Sequence, residues 1–191
     1  MRSLSSLARF AIVTWAAVAA LLALGLRFWL QERYGRGGPI PVSQAGMLIT
    51  PVRALMHPVR ESLASFGVAP GQTILELGPG PGYFSIEAAR IAGPEGRLLC
   101  LDLQPGMLGL LRNRLAGEGV TNARLVVADA QRLPLANGAV DRAFLVTVLG
   151  EVPDRVAALG ELRRVLRPGG VLSLMETLTD PDYLLEDTTR R

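Results

Sequence analysis

The most constraining feature of this 191-residue chain is the run Ile74 to Ser85, ILELGPGPGYFS. A short apolar strand enters a turn with glycine at every second position and leaves it into a helix. Gly78, Gly80 and Gly82 let the backbone approach a ligand at the strand's carboxyl end, where a Cβ would obstruct it. Such a turn also serves as a plain tight connection between strand and helix, so the residues downstream of it decide between the two.

Asp102 ends the next strand, 20 residues after Gly82. A carboxylate there can accept both hydroxyl hydrogens of a ribose. A third acid, Asp129, ends the strand after that in Val127-Ala128-Asp129-Ala130. In a parallel sheet the carboxyl ends of successive strands converge on one crevice, so Glu76, Asp102 and Asp129 are expected to share it. Scattered helix caps do not produce that register.

The surrounding pattern supplies the sheet. Strands are expected at Thr73–Leu77, Arg97–Leu101, Ala123–Val127, Val140–Val148 and Val171–Met175, alternating with helices at 84–92, 106–116 and 154–166. The strands are apolar at consecutive positions, the mark of a parallel sheet covered on both faces. The expected fold is α/β, a Rossmann-like doubly wound parallel sheet of about five strands. Upstream, Met47, Leu48, Val52, Leu55, Met56, Val59, Leu63 and Phe66 recur at helical spacing, interrupted by Pro51 and Pro58. Two short helices are therefore expected, packing on the domain or on the mouth of its site, with Gly67 and Gly71 closing the region.

The N-terminus has a different character. Phe10 to Leu26 carries no charge and is bounded by Arg9 and Arg27. About 20 residues cross a hydrocarbon core of roughly 30 Å, which this run reaches if Arg27 snorkels. Phe28, Trp29 and Tyr34 stand where an interfacial aromatic belt would lie, and Arg33, Arg36, Arg53 and Arg60 favour the C-terminal side in the cytoplasm. A cleaved signal peptide is the competing reading, since the start is basic and Ala19, Ala20, Ala23 and Gly25 suit a peptidase. The longer apolar run favours an uncleaved single-pass anchor. The expected organisation is an anchor over 1–33, a linker and pre-domain helices over 34–69 beginning with YGRGGPIP, and a ligand-binding domain over 70–191.

Composition removes several chemistries. All 20 basic residues are Arg. A phosphate-loop ATPase, a Schiff-base enzyme and a Tyr-x-x-x-Lys dehydrogenase each need a lysine. The net charge is +3, but the Arg residues are spread along the chain without interleaved aromatics, so nucleic acid is not an expected partner. A single Cys100 and a single His57 exclude an intrachain disulfide and any site needing two imidazoles; no metal is expected. Cys100, inside a strand, reads as a small buried hydrophobe.

Taken together, ELGPGPGYFS, LDLQPGML, ADAQRLPL, VDRAFLVTVLGEVPD and LRRVLRPGGVLSLMET resemble the class I S-adenosylmethionine (SAM) dependent methyltransferases, in particular the ubiquinone/menaquinone methyltransferase branch. The resemblance runs from about Pro70 to Thr177. It implies that Glu76 and the backbone at Gly78, Gly80 and Gly82 hold the amino-acid end of SAM. It further implies that Asp102 binds the ribose hydroxyls, that Leu103 covers the adenine, and that Asp129, with the Ala130 backbone beside it, accepts from the adenine amino group. Leu145 to Glu151 would line the methyl-transfer mouth. Methyl transfer from a sulfonium depends mainly on alignment, so a dedicated base is needed only for weakly acidic acceptors. No catalytic residue is assigned; Glu151 is a candidate base or substrate contact, or else an exposed helix-start residue. His57 reads as a helix-end or packing residue, and Tyr83 lies beside the cofactor or simply packs.

The family's usual sheet has seven strands, and the polar stretch Leu178 to Arg191 leaves no room for the last two. The fifth strand is then expected to be an open edge, which native proteins cover; a compact family variant covered by a homodimer partner, a truncated gene product and a domain that binds SAM without efficient turnover are the three readings left open. The implied function is methyl transfer to a small-molecule or lipid-like, membrane-resident acceptor. A SAM- or nucleotide-binding module with weak catalysis stays open beside it, and an NAD(P) oxidoreductase is disfavoured because its third glycine should come one residue later.

Overall fold

In the computed structural model, the described residues are 38–50, 53–54 and 57–176, together with 15, 18–19, 21–23 and 25–26. A 3-10 segment, Val42–Ile49, is followed by α1 (Val59–Ser65), β1 (Thr73–Leu77), α2 (Ser85–Ala92), β2 (Arg97–Asp102) and α3 (Pro105–Gly117). Then come β3 (Ala123–Val127), β4 (Val140–Val146), a 3-10 turn at Leu149–Glu151, α4 (Arg155–Val165) and β5 (Leu166–Met175).

The five strands form one parallel sheet in the order β3-β2-β1-β4-β5. The first three strands step one way from β1 and the last two step the other. This reversal opens a crevice above the carboxyl ends of β1 and its neighbours. Strand periodicity splits the core cleanly. Ile74, Leu98, Cys100 and Phe144 face α1, α2 and α3, and are packed with Leu63, Ala88 and Leu111. Leu75, Leu77, Leu101, Ala143 and Leu145 face the other way, against Leu162 and Val165 of α4. Both faces are buried, which is why these strands read as continuous apolar runs. Phe66, Phe84 and Phe144 meet with ring centroids 5.5 to 6.5 Å apart, fixing α1 and the start of α2 on the sheet.

Local chemistry sets the element ends. Gly93, at φ 70°, stops α2, and Pro105 occupies the first turn of α3. The Asp154 side chain accepts from the Ala157 N–H at 2.9 Å and caps α4. Two expected strand boundaries differ by more than one residue. β4 stops at Val146, two residues early, because Thr147 turns into the left-handed region at φ 55°. β5 begins at Leu166, not Val171, because the Arg167-Pro168-Gly169-Gly170 stretch is accommodated in the strand as a bulge: Val140 pairs with Leu166 and Arg142 with Val171. A Pro-Gly-Gly run reads as a turn from sequence alone. The expected first pre-domain helix is a 3-10 segment, and the second is α1.

β5 is one edge of the sheet, with Val171 and Leu174 exposed; residues 177–191 lie outside the described residues. So does most of the expected anchor. Among its described positions, Trp15, Leu21, Leu22 and Leu26 are helical and exposed. No helix among the described residues is long and apolar enough to cross a membrane.

Candidate cofactor site

At the crevice lies a cavity of about 300 Å³, within the size range of small-molecule sites. Its floor is the carboxyl ends of β1, β2 and β4 with the glycine turn, and its roof is Pro39, Ile40, Leu48 and Arg53 from the chain before the domain.

Glu76 sits one residue from the end of β1, on the same face as Cys100 and Phe144, its register partners on β2 and β4. The carboxylate is 3% exposed; its Oε2 accepts from Ser85 Oγ at 2.6 Å and from Cys100 Sγ at 3.8 Å. Burial pushes its pKa up to about 7, and the two donors only partly offset that. Burial beside this carboxylate also raises the Cys100 thiol well above its usual range, so Cys100 is an inert, protonated donor.

Asp102, the last residue of β2, uses one oxygen for each of two backbone N–H groups: Oδ2 accepts from Gly80 at 3.1 Å and Oδ1 from Gln104 at 2.8 Å. Burial raises its pKa, while these bonds pull it down. Each oxygen keeps a further lone pair for an incoming hydroxyl. The bond to Gly80 ties the end of β2 to the glycine turn, so the two halves of the floor are set relative to each other.

The glycines divide in role. Gly78 and Gly80 line the cavity at φ 67° and 55°. A Cβ on Gly78 would lie 2.5 Å from Val148 Cγ2, and one on Gly80 would lie 3.3 Å from Leu48 Cδ1. Gly82, at φ 86°, is not in the cavity wall; a Cβ there would overlap Leu111 of α3, so its place is a packing one.

Other expected positions are distributed unevenly. Leu103, Ala130 and Asp129 line the wall beyond Asp102. Leu103 is 57% exposed at the mouth. Asp129 is exposed and accepts from the Gln131 N–H at 2.8 Å and from its amide Nε2 at 3.0 and 3.2 Å, which lowers its pKa. Leu145 is fully buried under the sheet and does not reach the cavity; Val146, Thr147 and Val148 do. That corrects the expected mouth by one residue, since period-two alternation turns Leu145 toward α4. Glu151 lines the wall from the Leu149–Glu151 turn, ahead of α4 rather than at its start.

How the roof is attached is the part that sequence patterns do not reveal. Gln104 Nε2 donates to the Ile40 carbonyl at 2.9 Å, and Val42 occupies the space above Gly106. The Tyr83 hydroxyl donates to the His57 carbonyl at 2.9 Å, and the Arg53 guanidinium lies 5.4 Å from the Tyr83 ring centroid. His57 therefore contributes through its backbone; burial first, then Arg53, lowers its side-chain pKa. Ser85 is a further site residue absent from the sequence expectations, although a hydroxyl at the start of the helix after a glycine turn is a signal that can be read. No group of His, Cys, Asp and Glu among the described residues could hold a metal.

A buried acid near neutral pKa, a carboxylate with spare lone pairs and a turn that admits backbone approach make a cradle for a cationic, ribose-bearing ligand. The comparisons with known proteins agree. Residues 74–170, half of the chain, match the methyltransferase domain family, and the chain belongs to it. S-adenosylmethionine is its cofactor. The chain is 32% identical over 118 residues to the ubiquinone/menaquinone biosynthesis C-methyltransferase UbiE of Marinomonas sp. (strain MWYL1), covering 61% of this chain and 47% of that protein. It is 36% identical over 126 residues to the UbiE of Vibrio cholerae, covering 64% and 48%. The chain spans about half the length of these curated relatives. The solved structure of a SAM dependent methyltransferase from Aquifex aeolicus superposes with a TM-score of 0.65 at 25% identity, covering 68% of this chain and 69% of that one.

Proposed function

We propose that this chain transfers a methyl group from SAM to a carbon of a hydrophobic, quinone-type ring. The observation that carries the reading is one cavity lined by Asp102, Glu76 and the glycine turn and by Thr147, Val148 and Glu151, under a roof of Pro39, Ile40, Leu48 and Arg53. Its buried carboxylates suit the cofactor and its Ile40, Leu48 and Val148 side chains suit a ring, and the names of the relatives point to the same acceptor class.

SAM, when bound, supplies a methyl already activated on a sulfonium. The chain's own task is then alignment and exclusion of water. Asp102 would hold the ribose hydroxyls. Glu76 would face the amino-acid end, its ionised form favoured by an ammonium partner. Leu103 and Ala130 would flank the adenine, with Asp129 accepting from its amino group. Thr147, a β-branched residue held at φ 55°, turns the chain after β4 so that Val148 fills the space above Gly78; such strain is stored where geometry matters to the site. Glu151 is the candidate group to take a proton from the acceptor or to contact it.

The apolar run at 10–26 acts in this proposal as a single-pass anchor, with the domain on the cytoplasmic side near its acceptor. A second copy covering β5 belongs to the same proposal and is tested by sedimentation of the intact chain. The decisive experiment incubates the full chain with methyl-labelled SAM and quinol-containing lipid extract. Label in the quinol fraction, lost with Asp102→Ala, supports the reading; saturable SAM binding with no labelled lipid overturns the acceptor.

A further inference from the structure

We propose that the cavity roof docks onto a lipid bilayer, with the outer face of Val42–Ile49 lying at the headgroup and acyl-chain boundary, so that the mouth opens toward the lipid. This rests on the reading of a hydrophobic acceptor and adds the surface by which it arrives.

The segment Val42–Ile49 has no charged residue and two distinct sides. Ala45 is buried, and Leu48 turns inward to the glycine turn. Met47 and Ile49 are outside the cavity wall, 60% and 40% exposed, and Leu103 on the facing rim is 57% exposed. Met47 and Ile49 thus extend the apolar roof residues Ile40 and Leu48 outward from the cavity. Exposed apolar groups gathered at one rim mark a contact surface.

The chain upstream says what covers it. The run at 10–26 is uncharged, and its described Trp15, Leu21, Leu22 and Leu26 are 56% to 74% exposed. Residues 27–37 carry Arg27, Arg33 and Arg36 against Glu32 alone. That excess of positive charge complements anionic headgroups. Eleven residues reach at most about 40 Å when extended, so the roof cannot lie far from wherever the apolar run is held. The Gln104 to Ile40 bond fixes the roof to the domain, and docking one therefore orients the other. Eight residues are too few to cross a hydrocarbon core, so a segment docked by one apolar face lies in the interface plane.

The test uses the full chain with Met47→Cys carrying an environment-sensitive fluorophore. Cys100 is fully buried, so native labelling is confined to position 47. The chain is reconstituted into phosphatidylcholine–phosphatidylglycerol vesicles containing nitroxide lipids. The label at 47 should shift to the blue and be quenched, while the same label at Val156→Cys, 75% exposed on α4, should not. Equal, unquenched emission at both sites overturns the proposal, and so does a blue shift at 47 that the nitroxide lipids do not quench, which would mean a second copy covers the face. In a second arm, M47E/I49E should lower transfer to a long-chain quinol in vesicles by roughly tenfold, with SAM affinity and transfer to a water-soluble short-chain quinol retained. An equal loss on both acceptors overturns the docking role; if that variant fails to bind SAM, the label measurement decides. If wild-type protein methylates neither quinol, the proposed acceptor fails, and quenching at position 47 still judges the docking surface.

Discussion

The floor and the roof of the cavity are built on different principles. The floor consists of strand ends whose side chains are held by the sheet register: Glu76 opposite Cys100 and Phe144, and Asp102 bonded to Gly80 and Gln104. The roof consists of a 3-10 segment attached by a few side-chain contacts, Gln104 to Ile40, Val42 over Gly106, Leu48 toward Gly80 and Tyr83 to the His57 carbonyl. A floor fixed by backbone pairing can hold one cofactor in one pose. A roof fixed by side chains can change with the acceptor at little cost to the fold. In the proposed function, cofactor recognition falls to the floor and acceptor entry to the roof.

The sharpest way to break this division is to substitute where floor backbone meets packed side chains. Gly82→Val puts a β-branched residue at φ 86° and drives it into Leu111. Left-handed strain and overpacking together cost several kcal/mol, about 3 to 5. Thermal denaturation should show loss of the folded domain or a drop in Tm of well over 10 °C, although Gly82 is outside the cavity wall. A Gly82→Val domain of native stability would remove the packing role.

Glu76 gives the next effect, and its sign is unusual. Its folded pKa of about 7 lies above the ordinary 4.5, so the folded state keeps a proton that the unfolded chain releases. Its stability contribution is complete below pH 4.5 and is lost as pH rises to about 7, a difference of roughly 3 kcal/mol. Glu76→Gln should flatten that part of the stability profile of the cofactor-free domain. Chemical denaturation between pH 5 and about 7.5 checks it; an unchanged slope in the variant would show that another group titrates.

Asp102→Ala should be milder for the fold and specific for the ligand. It removes one acceptor from the Gly80 N–H and one from Gln104, and with them the group assigned to the ribose. Hydrogen bonds to a charged group are worth about 1.5 to 3 kcal/mol each, so SAM affinity should fall roughly 10- to 100-fold in calorimetric titration. Asp102→Asn should recover part of it. Equal affinity in all three proteins would move the ribose site elsewhere.

Legibility from sequence divides along the same line between floor and roof. β1 and β3 have the expected bounds: β1 is a run of mostly apolar residues ending at Gly78, and β3 is a mostly apolar run between Asn122 and the Ala128-Asp129 turn. The three acids at strand ends are legible for the same reason. Gly82 is expected beside the cofactor with Gly78 and Gly80, but spacing alone cannot distinguish a glycine that makes room for a ligand from one that makes room for Leu111. Leu145 falls one residue out of place because alternation along β4 turns it toward α4, and a strand apolar on both faces does not show by hydropathy which residues face the crevice. The roof is legible only as two short helical stretches near the mouth. Its attachments, such as Gln104 to Ile40 across 64 positions, join residues with no shared periodicity.

Tyr83→Phe is the finest probe of the division. It deletes only the hydroxyl that donates to the His57 carbonyl, leaving the ring against Phe84 and beneath Arg53. A partly buried neutral hydrogen bond contributes about 1 kcal/mol, and the carbonyl it leaves can turn to water. The domain should lose no more than that in denaturant unfolding, and SAM affinity should change by less than about threefold. If the roof governs acceptor entry, KM for the quinol should rise while kcat holds. If SAM affinity falls as far as in Asp102→Ala, then Tyr83 belongs to the floor, and the boundary between the two regions lies above the turn that precedes α2 rather than within it.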